Sequence, residues 1–350
     1  MNLLKKLFAS AIIFLIALSF FLLIQTDQVI CQESFFTNSL HYTTEGMRYW
    51  YEEHGGFMNV TGIPYAELDC KPCHIGSCDK CHAEKNDDTF SYSSAIADKQ
   101  ELCLSCHSRE GATINFGKQL NMLDVHFAND MTCVDCHKEE DSHGDGKLYI
   151  SMRDITNPRP ACSDCHEADS TLRAHTVHKG KLDCNACHVK YTITCMNCHF
   201  DQFLATGSRK GTFIALPANV FLINYNGKVT TANLQTLVYQ GKKFVVYAPY
   251  YTHSIQAKAR QCTECHGTEV AKQLKDGKKV SPMDYQDGKF IAKQVAIPIV
   301  ADQLDWQFLD KEGDKWVILK NDKPVHVQNA CYGEPLTAEQ IKKLAMPFKK

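Results

Sequence analysis

No basic field runs through this sequence. Lys+Arg 38 against Asp+Glu 40 leaves a formal charge of -2, so nothing in the charge balance argues for nucleic acid as a partner. Glycine and proline are not in excess, with Gly 19 and Pro 11 among 350 residues, which excludes a collagen-like chain. A composition of 44% hydrophobic and 22% charged residues excludes an intrinsically disordered one. No repeat longer than a five-residue motif is present. Length allows two ordinary domains, or a smaller pair behind a targeting segment. What the sequence does have is 18 cysteines beside 16 histidines, more cysteine than an ordinary intracellular enzyme uses.

The N-terminus reads as an address. Lys5 and Lys6 precede an apolar run from Leu7 to Ile24 that only Ser10 and Ser19 interrupt. Lysines ahead of such a run keep the N-terminus in the cytoplasm and send the rest across. The run is longer than a usual secretory core and just long enough for a membrane span. Residues 1–31 are therefore expected to be a single hydrophobic helix, serving as a cleaved signal peptide or as an uncleaved membrane anchor. Lipidation at Cys31 is the weaker reading, because Ile30 is larger than the small residue expected before a lipidated cysteine. Each reading exports the chain beyond about residue 32, to the periplasm or the cell surface.

Every CxxC pair in the sequence is followed by histidine. The first four motifs are Cys70-Lys-Pro-Cys73-His74, Cys78-Asp-Lys-Cys81-His82, Cys103-Leu-Ser-Cys106-His107 and Cys133-Val-Asp-Cys136-His137. The other four are Cys162-Ser-Asp-Cys165-His166, Cys184-Asn-Ala-Cys187-His188, Cys195-Met-Asn-Cys198-His199 and Cys262-Thr-Glu-Cys265-His266. Only Cys31 and Cys331 fall outside them. A disulfide scaffold gives no reason for histidine at that offset, and zinc knuckles need none after each pair. Covalent haem explains both features: two thiols add to the vinyl groups of one porphyrin, and the next residue places an imidazole on the iron. The motifs therefore predict eight haem c groups, with His74, His82, His107, His137, His166, His188, His199 and His266 as proximal ligands.

On these eight motifs the chain resembles the multihaem c-type cytochromes, specifically an octahaem member. The resemblance covers residues 70–266 and says little about the flanks. It implies a dense haem array moving electrons in anaerobic respiration outside the cytoplasmic membrane, with membrane or periplasmic redox proteins as partners. Self-association, and membrane attachment through an uncleaved N-terminal segment, are further expectations.

Seven motifs fall between Cys70 and His199, about 19 residues for each haem, too few to enclose a protein core. Residues 32–205 are thus expected to form a haem-organised seven-haem domain, mostly coil with short α-helices (about 41–205). His74 and Cys78 are close enough that the first two haems must nearly touch, with at most about 14 Å between Cα atoms. His188 and Cys195 are at most about 25 Å apart, which makes haems six and seven expected neighbours too. After His199 the pattern turns to β-rich runs: Phe213–Leu216, Val220–Tyr225, Leu234–Tyr239, Lys243–Tyr247, Lys289–Ile297, Trp306–Leu309 and Lys315–Leu319. Asn226-Gly227 and Gln240-Gly241 are turn signals between them. Residues 206–350 are expected to be a β-rich C-terminal domain holding the eighth haem. It closes with a capping box, Thr337 to Gln340, at the start of a short helix.

Each haem iron has a sixth position. Sixteen histidines less the eight in motifs leaves eight: His41, His54, His126, His143, His175, His178, His253 and His326. These are the candidate distal ligands, and a second imidazole at each iron would make it six-coordinate and low in potential. His126, His175, His178 and His253 each lie shortly ahead of a motif cysteine. His54 sits beside glycines that allow close approach to a macrocycle. His143 stands in the turn-like Ser-His-Gly-Asp-Gly, and His41 and His326 lie near the ends.

Three functions follow. The first is an electron relay with no catalytic residue. The second is an oxidoreductase acting on nitrite, hydroxylamine or tetrathionate at a five-coordinate haem, as some octahaem cytochromes do. This chain departs from those in being shorter, in lacking a CxxCK motif and in its β-rich C-terminal part. The third is a subunit of an extracellular cytochrome filament.

Overall fold

The protein is described from a computed structural model that covers residues 33–68, 75–87, 89–207, 212–215, 220–312 and 315–348. The expected N-terminal hydrophobic helix, Cys31 and the first motif, Cys70 to His74, lie outside the described residues. Among the described residues no helix is long and apolar enough to cross a membrane.

Seven strands form one mixed sheet: β1 (Ile193–His199), β2 (Thr212–Ala215), β3 (Val220–Tyr225), β4 (Lys228–Tyr239), β5 (Lys242–Pro249), β6 (Ala296–Pro298) and β7 (Val325–Asn329). The long β4 organises it. Antiparallel β3 and parallel β1 follow one another along the same edge of β4, and antiparallel β5 runs along the other. β6 lies parallel to β3, β7 parallel to β5, and β2 antiparallel to β1. The two hairpins at its centre turn on the expected dipeptides. Asn226 and Gly227 have φ of 47° and 72°, and Gln240 and Gly241 have 49° and 70°, the left-handed pairs that two-residue turns between twisted strands require.

The sheet is covered on both faces, which is why β4 is buried along nearly its whole length. One cluster joins Phe221, Ile223, Leu234 and Ile297 to Val270 and Leu274 of helix Glu269–Lys275 and to Ile341 of helix Ala338–Ala345. The other packs Phe57, Val60, Tyr65 and Leu68 against Phe200, Leu237, Tyr239 and Phe244. The sheet thus reaches past the expected boundary at residue 205. It takes in the seventh motif as β1 and is backed by residues 57–68, because a two-faced apolar sheet must find cover wherever the chain supplies it. Three strand expectations also shift. Lys289–Ile297 divides between a hairpin (Met283–Gln286 with Lys289–Ala292) and β6. Trp306 and Phe308 are core residues that precede the strand Leu309–Glu312. β7 is an unforeseen edge strand.

The region between Ile75 and Asp183 is built differently. Its helices are short, the longest being Ser108–Gln119. Among the described residues there, the buried apolar side chains are Ile114 and Tyr149 alone. Leu148, Met152, Ile155 and Leu172 are all more than half exposed.

Candidate haem-binding sites

Five of the described motifs make the same local turn. The histidine N–H donates to the carbonyl of the first cysteine in Cys78–His82, Cys103–His107, Cys133–His137 and Cys162–His166 at 2.9 Å, and in Cys262–His266 at 2.8 Å. The sixth motif is itself a helical turn, Cys184–His188, started by the Asp183 side chain. This turn sets both thiols and the imidazole on one side of a short backbone segment, which a single porphyrin needs.

Six motif histidines each face one histidine from outside the motifs. Ring centres are 6.1 Å apart for His107 and His41, 5.9 Å for His82 and His143, and 6.0 Å for His166 and His126. They are 6.4 Å apart for His137 and His253, 6.4 Å for His188 and His175, and 6.1 Å for His266 and His178. An imidazole nitrogen binds a metal at about 2 Å, and its ring centre lies about 1 Å further out, so two rings flanking one iron have centres about 6 Å apart. All six pairs fit that spacing. Direct stacking would bring rings closer, and a four-ligand zinc site would gather more side chains. Among the described residues no group of three His, Cys, Asp or Glu converges as a metal cluster.

The outer nitrogens support the same arrangement. His41 Nδ1 donates to Ser142 O, His82 to Ser93 O, His175 to Asp169 O, His188 to Gln256 O and His266 to Lys343 O, at 2.9–3.3 Å. Carboxylates take this role for His126 (Asp124, 2.9 Å), His137 (Asp141, 3.2 Å), His143 (Glu139, 3.5 Å) and His253 (Glu110, 2.6 Å). With Nδ1 held, Nε2 is left to bind a metal, and the tautomer is set by the acceptor. Glu110 is itself well held. Burial alone would raise its pKa, but the His253 and Tyr250 hydrogen bonds and the nearby Arg109 bring it below the ordinary carboxylate value.

The motifs also touch one another. Cys133 lies close to Cys103, and Cys162 close to Cys184. Cys81 lies within electrostatic range of Cys103 and Cys106, Cys136 of Cys165, and Cys187 of Cys262 and Cys265. Motifs two, three, four, five, six and eight thus follow one another in space. Motif eight stands beside motif six, an adjacency that spacing along the chain did not indicate.

The seventh motif differs. Cys195, Cys198 and His199 lie in β1, with a bulge between the cysteines and Asn197 in a left-handed conformation (φ 54°). Arg109 donates to Cys195 Sγ at 3.3 Å, and His199 Nε2 donates to Leu309 O at 3.0 Å with Trp316 beside the ring. Among the described residues no second histidine faces His199. Of the remaining candidates, His54 is exposed with φ 49° and hydrogen-bonded to Tyr49, and His326 is exposed on β7. Neither faces a described motif histidine. Sequence reasoning missed Glu110, Asp124, Glu139 and Asp141. Asp124, Glu139 and Asp141 had a local signal, a carboxylate two or four residues from a histidine, whereas Glu110 had none.

No family model matches this chain, and no solved structure does. Among curated proteins it is similar to the dissimilatory sulfite reductase MccA of Wolinella succinogenes, 23% identical over 172 residues, covering 39% of this chain and 24% of the relative. The chain therefore spans about a quarter of that protein's length. Motifs and similarity together support a multihaem c-type cytochrome.

Proposed function

We propose that this chain is an octahaem c-type cytochrome that relays electrons outside the cytoplasmic membrane, with its segment before the sheet organised round haems instead of an apolar protein core. The observation that carries the reading is the set of six histidine pairs spaced for one iron each. When bound, each haem supplies a one-electron iron couple of low potential. The chain's own residues do the rest. Paired imidazoles would hold each iron between them, Nδ1 acceptors fix the rings, and contacts between successive motifs keep neighbouring sites close. His74 lies outside the described residues, and His54 and His326 remain candidates to complete the set. Exported, membrane or periplasmic redox proteins would be its partners. Electron paramagnetic resonance of the oxidised holoprotein tests the relay. Low-spin ferric signals alone, with reversible uptake of electrons and no turnover of sulfite, nitrite or hydroxylamine, are expected.

One observation favours a second reading. His199 has no facing histidine among the described residues, and the similar protein is a sulfite reductase. An iron held by His199 alone, once its Nε2 has left Leu309 O, would leave a position for a small sulfur or nitrogen compound. A high-spin signal lost in His199→Ala, together with reduction of sulfite by the wild type, would select this reading over the relay.

A further inference from the structure

Glu110 follows the third motif closely, near the start of helix Ser108–Gln119, yet its carboxylate serves the fourth motif's pair. One oxygen accepts from His253 Nδ1 at 2.6 Å, and the other accepts from the Tyr250 hydroxyl. The Glu110 side chain is 19% exposed, so solvent screens the contact little. On the opposite ring of the same pair, His137 Nδ1 donates to Asp141 at 3.2 Å. Asp141 is positioned by the helix Glu139–His143, and its side chain is 14% exposed.

Among the described residues none of the other five pairs has carboxylates on both rings. His126 has Asp124, with no carboxylate on His166. His143 has Glu139 at the longer distance of 3.5 Å, and its partner His82 donates to a carbonyl. His175 and His188 both donate to carbonyls, and His41 and His266 each do the same. A carbonyl is a neutral acceptor, whereas an ionised carboxylate makes a charge-assisted hydrogen bond about twice as strong. The stronger acceptor draws the Nδ1 proton away from the ring and makes the imidazole a better donor to its metal. It also places a negative charge close to the site. Both effects stabilise the oxidised iron.

We infer that Glu110 and Asp141 set the site between His137 and His253 to the lowest reduction potential of the six described pairs. This rests on the bis-histidine reading above. Both residues act through the ligands and are positioning residues. Reduction adds one electron to the site and breaks no bond. In the order two, three, four, five, six, eight this site is internal, so electrons crossing the array climb to it and descend again. It is the last to fill in a stepwise reduction.

The test is spectropotentiometry of the matured holoprotein. Glu110→Gln keeps the size and an oxygen acceptor while removing the charge. It should raise the lowest-potential component by at least one tenfold step in its redox equilibrium, about 59 mV for one electron, and leave the others in place. Asp141→Asn should raise the same component. Tyr250→Phe should lower it, because the carboxylate then gives its whole charge to His253, and a general loss of folding would not produce opposite signs. If no component moves, or a different one does, the assignment is overturned. His253→Ala separates this outcome from failure of the underlying reading. It should turn one low-spin haem high-spin, and if every haem stays low-spin the ligand assignment itself is wrong.

Discussion

His178 and His266 face each other with ring centres 6.1 Å apart and planes within 20°, although one follows motif five and the other ends motif eight. The far ring is tied to the C-terminus: His266 Nδ1 donates to Lys343 O at 3.2 Å, and Gly267 N to Leu344 O at 2.7 Å. One pair is thereby assembled from the segment before the sheet, the eighth motif and helix Ala338–Ala345.

Replacing His178 with alanine should convert one low-spin haem to high-spin while the rest stay unchanged. Electron paramagnetic resonance of the oxidised protein reads this directly, and an unaltered spectrum would remove His178 from the ligand set.

The number of haems is open to mass measurement. Matured wild type is expected to have eight, and Cys195→Ala with Cys198→Ala should lower the count by one. An unchanged mass in that variant would mean that the strand-borne motif holds no haem.

Chain expressed without haem maturation should lose its order unevenly. Between residues 75 and 183, Ile114 and Tyr149 are the buried apolar side chains among the described residues, whereas the sheet has a core of its own. A segment with so little apolar burial does not hold a fold by itself. Limited proteolysis is expected to cut within residues 75–183 first and to leave a fragment containing residues 220–345. Equal protection of both parts would contradict the haem-organised reading.

Ile297 is fully buried on β6. Ile297→Ala should destabilise the sheet by about 2–5 kcal/mol through lost burial and a residual cavity. The shift in denaturation midpoint followed by circular dichroism checks it.

The capping box at Thr337 is a smaller lever with a distant readout. Its hydroxyl accepts from Gln340 N at 3.3 Å, and the Gln340 side chain also pairs with Asn224. Thr337→Ala should cost about 1 kcal/mol and speed hydrogen exchange in helix Ala338–Ala345. Since Lys343 O holds His266, the absorbance of one haem should broaden as well.

Much of the local detail was legible. The two-residue turns at Asn226-Gly227 and Gln240-Gly241, the capping box and the runs around β3, β4 and β5 all appear where residue chemistry puts them. Less legible was anything that required the chain to return. His126 precedes motif four but faces His166 of motif five, and His253 precedes motif eight but faces His137 of motif four. Among the described residues only His175 faces the next motif along the chain, at His188. Proximity in sequence was a poor guide because a porphyrin is wider than a helical turn. Two rings that would flank such a group approach it from opposite sides, and so come from different stretches of chain.

What the sequence by itself determined is the set of CxxCH motifs. Two thiols and an imidazole within five residues are a local unit whose chemistry needs nothing from elsewhere in the chain. Tertiary structure alone decided which histidine faces which, that motif eight stands beside motif six, that the seventh motif is drawn into a sheet, and that Glu110 reaches His253. Each of these depends on surfaces that meet only after folding, where burial of the β4 faces and contact between distant segments outweigh any local preference of the residues concerned.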